Sequence, residues 1–121
     1  MDPTFFRLIH ICGILMIFSG LVGLTALFVN GGPVRHSSRI TFAIVHGFGM
    51  LLVLISGFGL AGRLGYMNEI PMWMYFKMAI WLVLGGSMVL AKRQAKMMGV
   101  LMPLWILLGT VAGYLALYKP V

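Results

Sequence analysis

Three ionisable side chains, His10, His46 and Lys77, stand inside long apolar runs of a chain that is only 9% charged. An ionisable group in hydrocarbon costs several kcal/mol unless it is paired or faces a cavity, so residues of this kind mark function. Neutral imidazole coordinates haem iron and transition metals, and a helix-borne histidine in a four-helix bundle is a recurrent way to present it. His10 and His46 are therefore the candidate metal ligands, for haem iron or another transition metal. Lys77 could hold a tetrapyrrole carboxylate or donate a proton, which makes it the candidate catalytic and cofactor-binding residue. Met72, Met74 and Met78 place thioethers near it as further ligands, although methionines in such helices mostly serve packing.

Plainer roles compete with these. Lys77 could extend its four-carbon stem to the membrane edge and meet Glu69, one of only 2 acidic residues. The imidazoles could be satisfied by a backbone carbonyl or by Ser56 or Thr110, as buried polar groups normally are. His36, among basic residues, reads as a solvated loop residue. No zinc or calcium ligand spacing, nucleophile motif, P-loop or dinucleotide fingerprint occurs in the sequence. The single cysteine, Cys12, excludes an internal disulfide and reads as an inert buried residue of the first span.

The elements that position these groups follow from hydropathy. The chain of 121 residues is 61% hydrophobic with a mean hydropathy of +1.03, outside the range of soluble domains. Apolar runs at about 5–29, 40–62, 72–91 and 97–118 each reach the ~20 residues that a bilayer core requires. One transmembrane domain over residues 1–121 follows, with the first run kept as a helix because it is too long for a cleavable signal. Asn30-Gly31-Gly32-Pro33 ends the first span, and Pro71 opens the third, where its missing N–H costs nothing. Trp73, Tyr75, Tyr66 and Tyr118 fall near one interface and Trp105 near the other, as headgroup anchors. Glycines at 13, 20 and 23, at 47, 49, 57 and 59, at 85 and 86, and at 109 and 113 predict close helix packing, within one bundle or across a homodimer.

Periodicity turns the histidines inward. At 100° per residue Gly13, Ile17 and Gly20 share a face with His10, and Gly49, Val53 and Gly57 share one with His46. His10 and Lys77 lie at a similar depth, near ~8 Å from one edge, so they can share a site. His46 enters from the other edge, leaving roughly 13 Å of axial offset, which disfavours one haem clamped between the two histidines. His-x-x-Gly-x-Leu recurs at His10 and His46, a short echo on antiparallel spans, though coincidence is at least as good an explanation in so apolar a chain.

Charge sets the orientation. Arg35, Arg39, Lys92, Arg93 and Lys96 flank one side, and Arg7, Arg63 and Lys119 the other. The positive-inside rule makes the former side cytoplasmic and puts both termini outside. The fold class is thus an all-α integral membrane four-helix bundle, up-down-up-down, multi-pass in a bacterial inner membrane. A net charge of +7 without a soluble basic stripe interleaved with aromatics argues against nucleic acid as partner. The partners to expect are the lipid bilayer and either a second copy or a larger respiratory membrane complex, in which the chain would be a non-catalytic accessory subunit. A transporter or channel has less behind it, since no span is broken.

Phe6-Arg7-Leu8-Ile9-His10-Ile11-Cys12-Gly13-Ile14, followed by Gly20-Leu21 and Leu27-Phe28-Val29, resembles the first span of the HemJ-type protoporphyrinogen oxidases. Trp73-x3-Lys77-Met78-Ala79 resembles the third span of that family. The segment from Trp73 through Leu84-Gly85-Gly86-Ser87 to Leu90-Ala91-Lys92-Arg93, with Ala116-Leu117-Tyr118-Lys119-Pro120, is also similar to the small SirB-like membrane proteins. The first resemblance implies four helices with external termini, haem b in the bundle, oxidation of protoporphyrinogen IX, and His10 and Lys77 as the functional pair. The second implies the fold alone. The chain departs from the HemJ-type pattern at Thr25-Ala26, where a basic residue is expected, and in its short second connection on the basic side.

Overall fold

The computed structural model describes residues 3–66 and 68–118. They form four helices, α1 (Pro3–Phe28), α2 (His36–Arg63), α3 (Met72–Arg93) and α4 (Met98–Tyr118), with one 3-10 turn, Ala95–Met97, between the last two. All four, α4 together with its 3-10 turn, are long and apolar enough to cross a membrane. Leu8, Leu15, Ile44, Ile55, Leu82, Ile106 and Leu117 are each more than half exposed, an outer surface that only hydrocarbon solvates without penalty.

α1 and α2 lie antiparallel and touch backbone to backbone. Phe6 meets Gly59, His10 meets Ser56, Gly13 meets Gly49 and Val53, and Gly20 meets His46, so one number falls as the other rises. A Cβ at Gly20 would stand 2.6 Å from the His46 Cβ, and one at Gly49 would stand 2.7 Å from the Gly13 carbonyl. Glycine is required there because nothing larger fits between the two backbones. α3 runs antiparallel to α2, through His46 against Leu84 and Met50 against Trp81, and packs mainly on α1 and α4. Gly109 of α4 receives the Phe18 ring, whereas Gly47, Gly86 and Gly113 face open space and take no part in the bundle.

The core, Ile17, Leu21, Leu24, Leu84, Ala91, Leu101 and Trp105, fills the half of the bundle nearer the short α3–α4 turn. Trp105 is 1% exposed and belongs to this core, not to the headgroup interface its position suggests. Cys12, expected inside, is exposed on the outer face of α1. α2 starts at His36, four residues before the apolar run, because the helix continues through Ser37, Ser38 and Arg39 beyond the hydrocarbon; the Arg39 N–H already donates to the Arg35 carbonyl. His36 is thus the exposed first residue of a helix and not part of a loop. Pro103 lies inside α4, where it withholds an N–H from the Gly99 carbonyl. Lys119 and Pro120 lie outside the described residues.

The seam sets a contrast that can be measured. Gly20→Val should destabilise the protein by about 3 kcal/mol through overpacking, while Gly47→Val, which meets nothing, should stay within about 0.5 kcal/mol. Thermal unfolding of both variants in detergent checks this, and equal midpoints would contradict the seam.

Candidate functional site

The half of the bundle away from the core opens into a cavity of about 320 Å³ between α1, α2 and α3, closed at one side by Ala116 and Leu117 of α4. Arg7, His10 and Lys77 line it, together with Trp73, Trp81 and Tyr66, and among the described residues no carboxylate does. His10 and Lys77 therefore share one cavity, and the Lys77–Glu69 pair that the sequence allows does not form there. The Lys77 ammonium nitrogen lies 6.0 Å from the centre of the Trp73 ring, within reach of a cation–π attraction.

The tautomer of His10 is fixed by its neighbour. The Ser56 hydroxyl donates its one proton to backbone, at 2.6 Å to the Leu52 carbonyl and 3.2 Å to that of Val53. Its oxygen, 2.9 Å from His10 Nδ1, must then accept from that nitrogen, so Nδ1 carries the proton. The neutral ring keeps its lone pair on Nε2. An added Cβ at Gly57 would make only ordinary contact with the ring, 3.7 Å from Cε1, so the space beside the imidazole does not depend on this glycine. A hydroxyl that orients the imidazole from behind is the usual partner arrangement of a ligating or proton-accepting histidine.

The walls follow from local chemistry. Gly65 takes φ +82°, and beyond it the Tyr66 N–H donates to the Ala61 carbonyl while the Gly65 N–H reaches the Gly62 carbonyl. This pair of bonds closes α2 with a left-handed glycine, a Schellman ending. It folds Tyr66 back so that its ring stands edge-on to Trp73 at 5.6 Å. Trp73, Lys77 and Trp81 are spaced by four and share one face of α3. Trp81 is anchored by its indole N–H, which donates to the Met50 carbonyl at 3.0 Å. Met74 and Met78 line the same cavity, whereas Met72 points away and is 59% exposed.

His46 lies elsewhere. It is buried at 2% exposure and its Nε2–H donates to the Leu84 carbonyl at 3.2 Å. His10 is level with Ser56, and ten residues of α2 separate Ser56 from His46, about 15 Å along the helix. One metal cannot bind both imidazoles across that distance, and His46 does not line the cavity. Thr110 bonds its own helix at the Ile106 carbonyl and meets neither histidine. Among the described residues no three His, Cys, Asp or Glu side chains converge, and His10 is the one histidine among them that lines the cavity.

Sequence reasoning named His10 and Lys77 as site residues, while it read Arg7 as a flanking charge within the first-span motif and Tyr66 as an interface anchor, and gave Trp81 no role. Arg7 precedes His10 by three, a helical spacing that puts both on one face and was available from the sequence. Trp81 and Tyr66 had no such signal, because their inward placement depends on α2. Comparison with family models, curated proteins and solved structures returns no match for this chain.

Ser56→Ala should release the ring: imidazole ¹⁵N NMR should show the Nδ1–H form of the parent replaced by a mixture of tautomers, with a stability loss of about 1 kcal/mol. An unchanged ¹⁵N pattern would show that the hydroxyl does not set the tautomer.

Proposed function

We propose that this protein binds haem b or a related tetrapyrrole in the cavity, through His10, and serves a redox or haem-linked role in the membrane. The observation that carries this reading is the joint presence, in one apolar cavity, of an imidazole with its Nε2 lone pair free of Ser56 and two cations, with no carboxylate among the described residues that line it. The donor set fits the group. His10 would hold the metal; Arg7 and Lys77 would pair with the carboxylates; Trp73 and Trp81 would offer flat apolar surface to the macrocycle. A bound haem would supply one-electron transfer, and the chain's own part is to orient the imidazole, neutralise the carboxylates and keep the apolar body out of water.

The Arg7-x2-His10 and Trp73-x3-Lys77 motifs, which resemble the HemJ-type family, agree with this assignment, and Lys77 is then the residue placed to hold a carboxylate or deliver a proton. His46 lines neither this cavity nor the recess at the other end, and serves the contact of α2 with α3. By the positive-inside rule the cavity lies toward the non-cytoplasmic side, where both termini also lie, in a bacterial inner membrane.

Optical spectroscopy of the purified protein in mild detergent tests the proposal. After addition of haemin the protein should show a Soret band that His10→Ala abolishes and His46→Gln leaves intact. Arg7→Gln and Lys77→Gln should each weaken haemin binding by roughly tenfold, as loss of a charge-assisted hydrogen bond does, without moving the band. No band in the parent, or the same band in His10→Ala, would overturn it.

A second reading, an accessory subunit of a larger membrane complex, rests on Gly47, Gly86 and Gly113, small outward residues that the bundle leaves unused. On that reading Gly86→Leu should abolish co-purification of a partner while leaving thermal stability unchanged. Retention of the partner in that variant would remove the support for this face.

A further inference from the structure

At the opposite end of the bundle from the His10 cavity, the end of α1, the end of α3 and the turn into α4 enclose a recess of about 500 Å³. Lys92, Arg93 and Lys96 line it and no carboxylate does. Glu69, the one acidic residue among those described, sits in the α2–α3 connection at the other end of the helices. Three cations on so short a stretch repel one another, and the fold supplies no internal anion to offset them.

The 3-10 turn Ala95–Met97 begins in the recess, with its Met97 N–H already donated to the Gln94 carbonyl. Across from it, Gly31 turns the chain at φ +71°, and neither Gly31 nor Gly32 has any atom within 4 Å of where a side chain would start. The far wall is therefore open backbone. Phe28 and the buried Ala95 make its floor apolar. The recess thus joins a cationic rim to an apolar floor at the ends of membrane-spanning helices, the level at which headgroup phosphates lie.

We propose that this recess binds the phosphate of an anionic phospholipid headgroup. Arg93 and Lys96 pair with the phosphate oxygens, Lys92 adds its charge, and Phe28 meets the glycerol and first acyl carbons. The chemistry recognised is a phosphate anion; the apolar floor and the position favour a lipid as its source over free phosphate. This site is independent of any ligand in the His10 cavity.

The test uses the purified full-length protein in detergent, titrated with phosphatidylglycerol or with phosphatidylcholine of the same acyl chains and followed by native mass spectrometry. One phosphatidylglycerol should be retained with at least roughly tenfold preference over phosphatidylcholine. Arg93→Gln with Lys96→Gln should weaken phosphatidylglycerol binding by about thirtyfold, about fivefold per cation. Arg35→Gln with Arg39→Gln, at the same end but outside the recess, should cost less than about fivefold in total, and circular dichroism should show full helicity in both variants. Displacement of the lipid by millimolar inorganic phosphate would support the anion site with free phosphate as its source; resistance to phosphate would support the lipid. Equal retention of the two lipids, or a phosphatidylglycerol preference that survives Arg93→Gln with Lys96→Gln, would overturn the proposal.

Discussion

The close approach of α1 and α2 is the constraint from which the rest of the architecture follows. In hydrocarbon, apolar side chains gain little by leaving the solvent, so helices hold together by van der Waals contact and by the few hydrogen bonds they can exchange. Gly13, Gly20 and Gly49 let the two backbones touch over several turns, and that contact fixes the register of the pair. The register then decides which polar groups meet. It sets His10 against the Ser56 hydroxyl and brings His46 over Gly20, where its ring reaches across to the Leu84 carbonyl of α3.

Two halves of unlike character result. Toward the α3–α4 turn the helices converge on Leu21, Leu24, Leu84, Ala91 and Trp105, and the one imidazole in that half is buried. Toward the other end α2 and α3 stand apart, with Trp73 and Trp81 holding them open as walls and Tyr66 folded back over the rim. A similar residue type therefore has two fates in one bundle. His46 has spent its Nε2–H on a carbonyl and ties helices together, whereas His10 has its Nδ1 engaged from behind and its other nitrogen left for the cavity. What separates a structural histidine from a candidate ligand is the hydrogen bond that the rest of the fold assigns to each ring.

Much of this was legible in the sequence, for definite reasons. Four apolar runs, broken by Gly31-Gly32-Pro33, by Gly65 and Pro71, and by the polar Lys92-Arg93-Gln94-Ala95-Lys96, specify four helices, because an unpaired backbone cannot stand in lipid. Helical periodicity and depth were enough to bring His10 and Lys77 to the same end and to separate His46 from them. The reading went astray where a position depends on a neighbour. Trp105 lies close enough to a helix end to look like an interface anchor, yet it is core because Leu24 and Ala91 cover it; Cys12 looked buried and faces outward because the seam uses the adjacent Gly13.

By itself, the sequence determined the number of helices, their all-α antiparallel succession, the uneven distribution of Lys and Arg between their ends and the depth of each polar group, since these depend only on hydropathy, breakers and rise per residue. Only the tertiary structure decided which imidazole faces a cavity, which of its nitrogens keeps a lone pair, that Trp81 and Tyr66 line the same cavity, and that Lys92, Arg93 and Lys96 share a recess. Those are properties of contacts between helices, and in a chain so uniformly apolar many helix faces look alike until the backbones have been brought together.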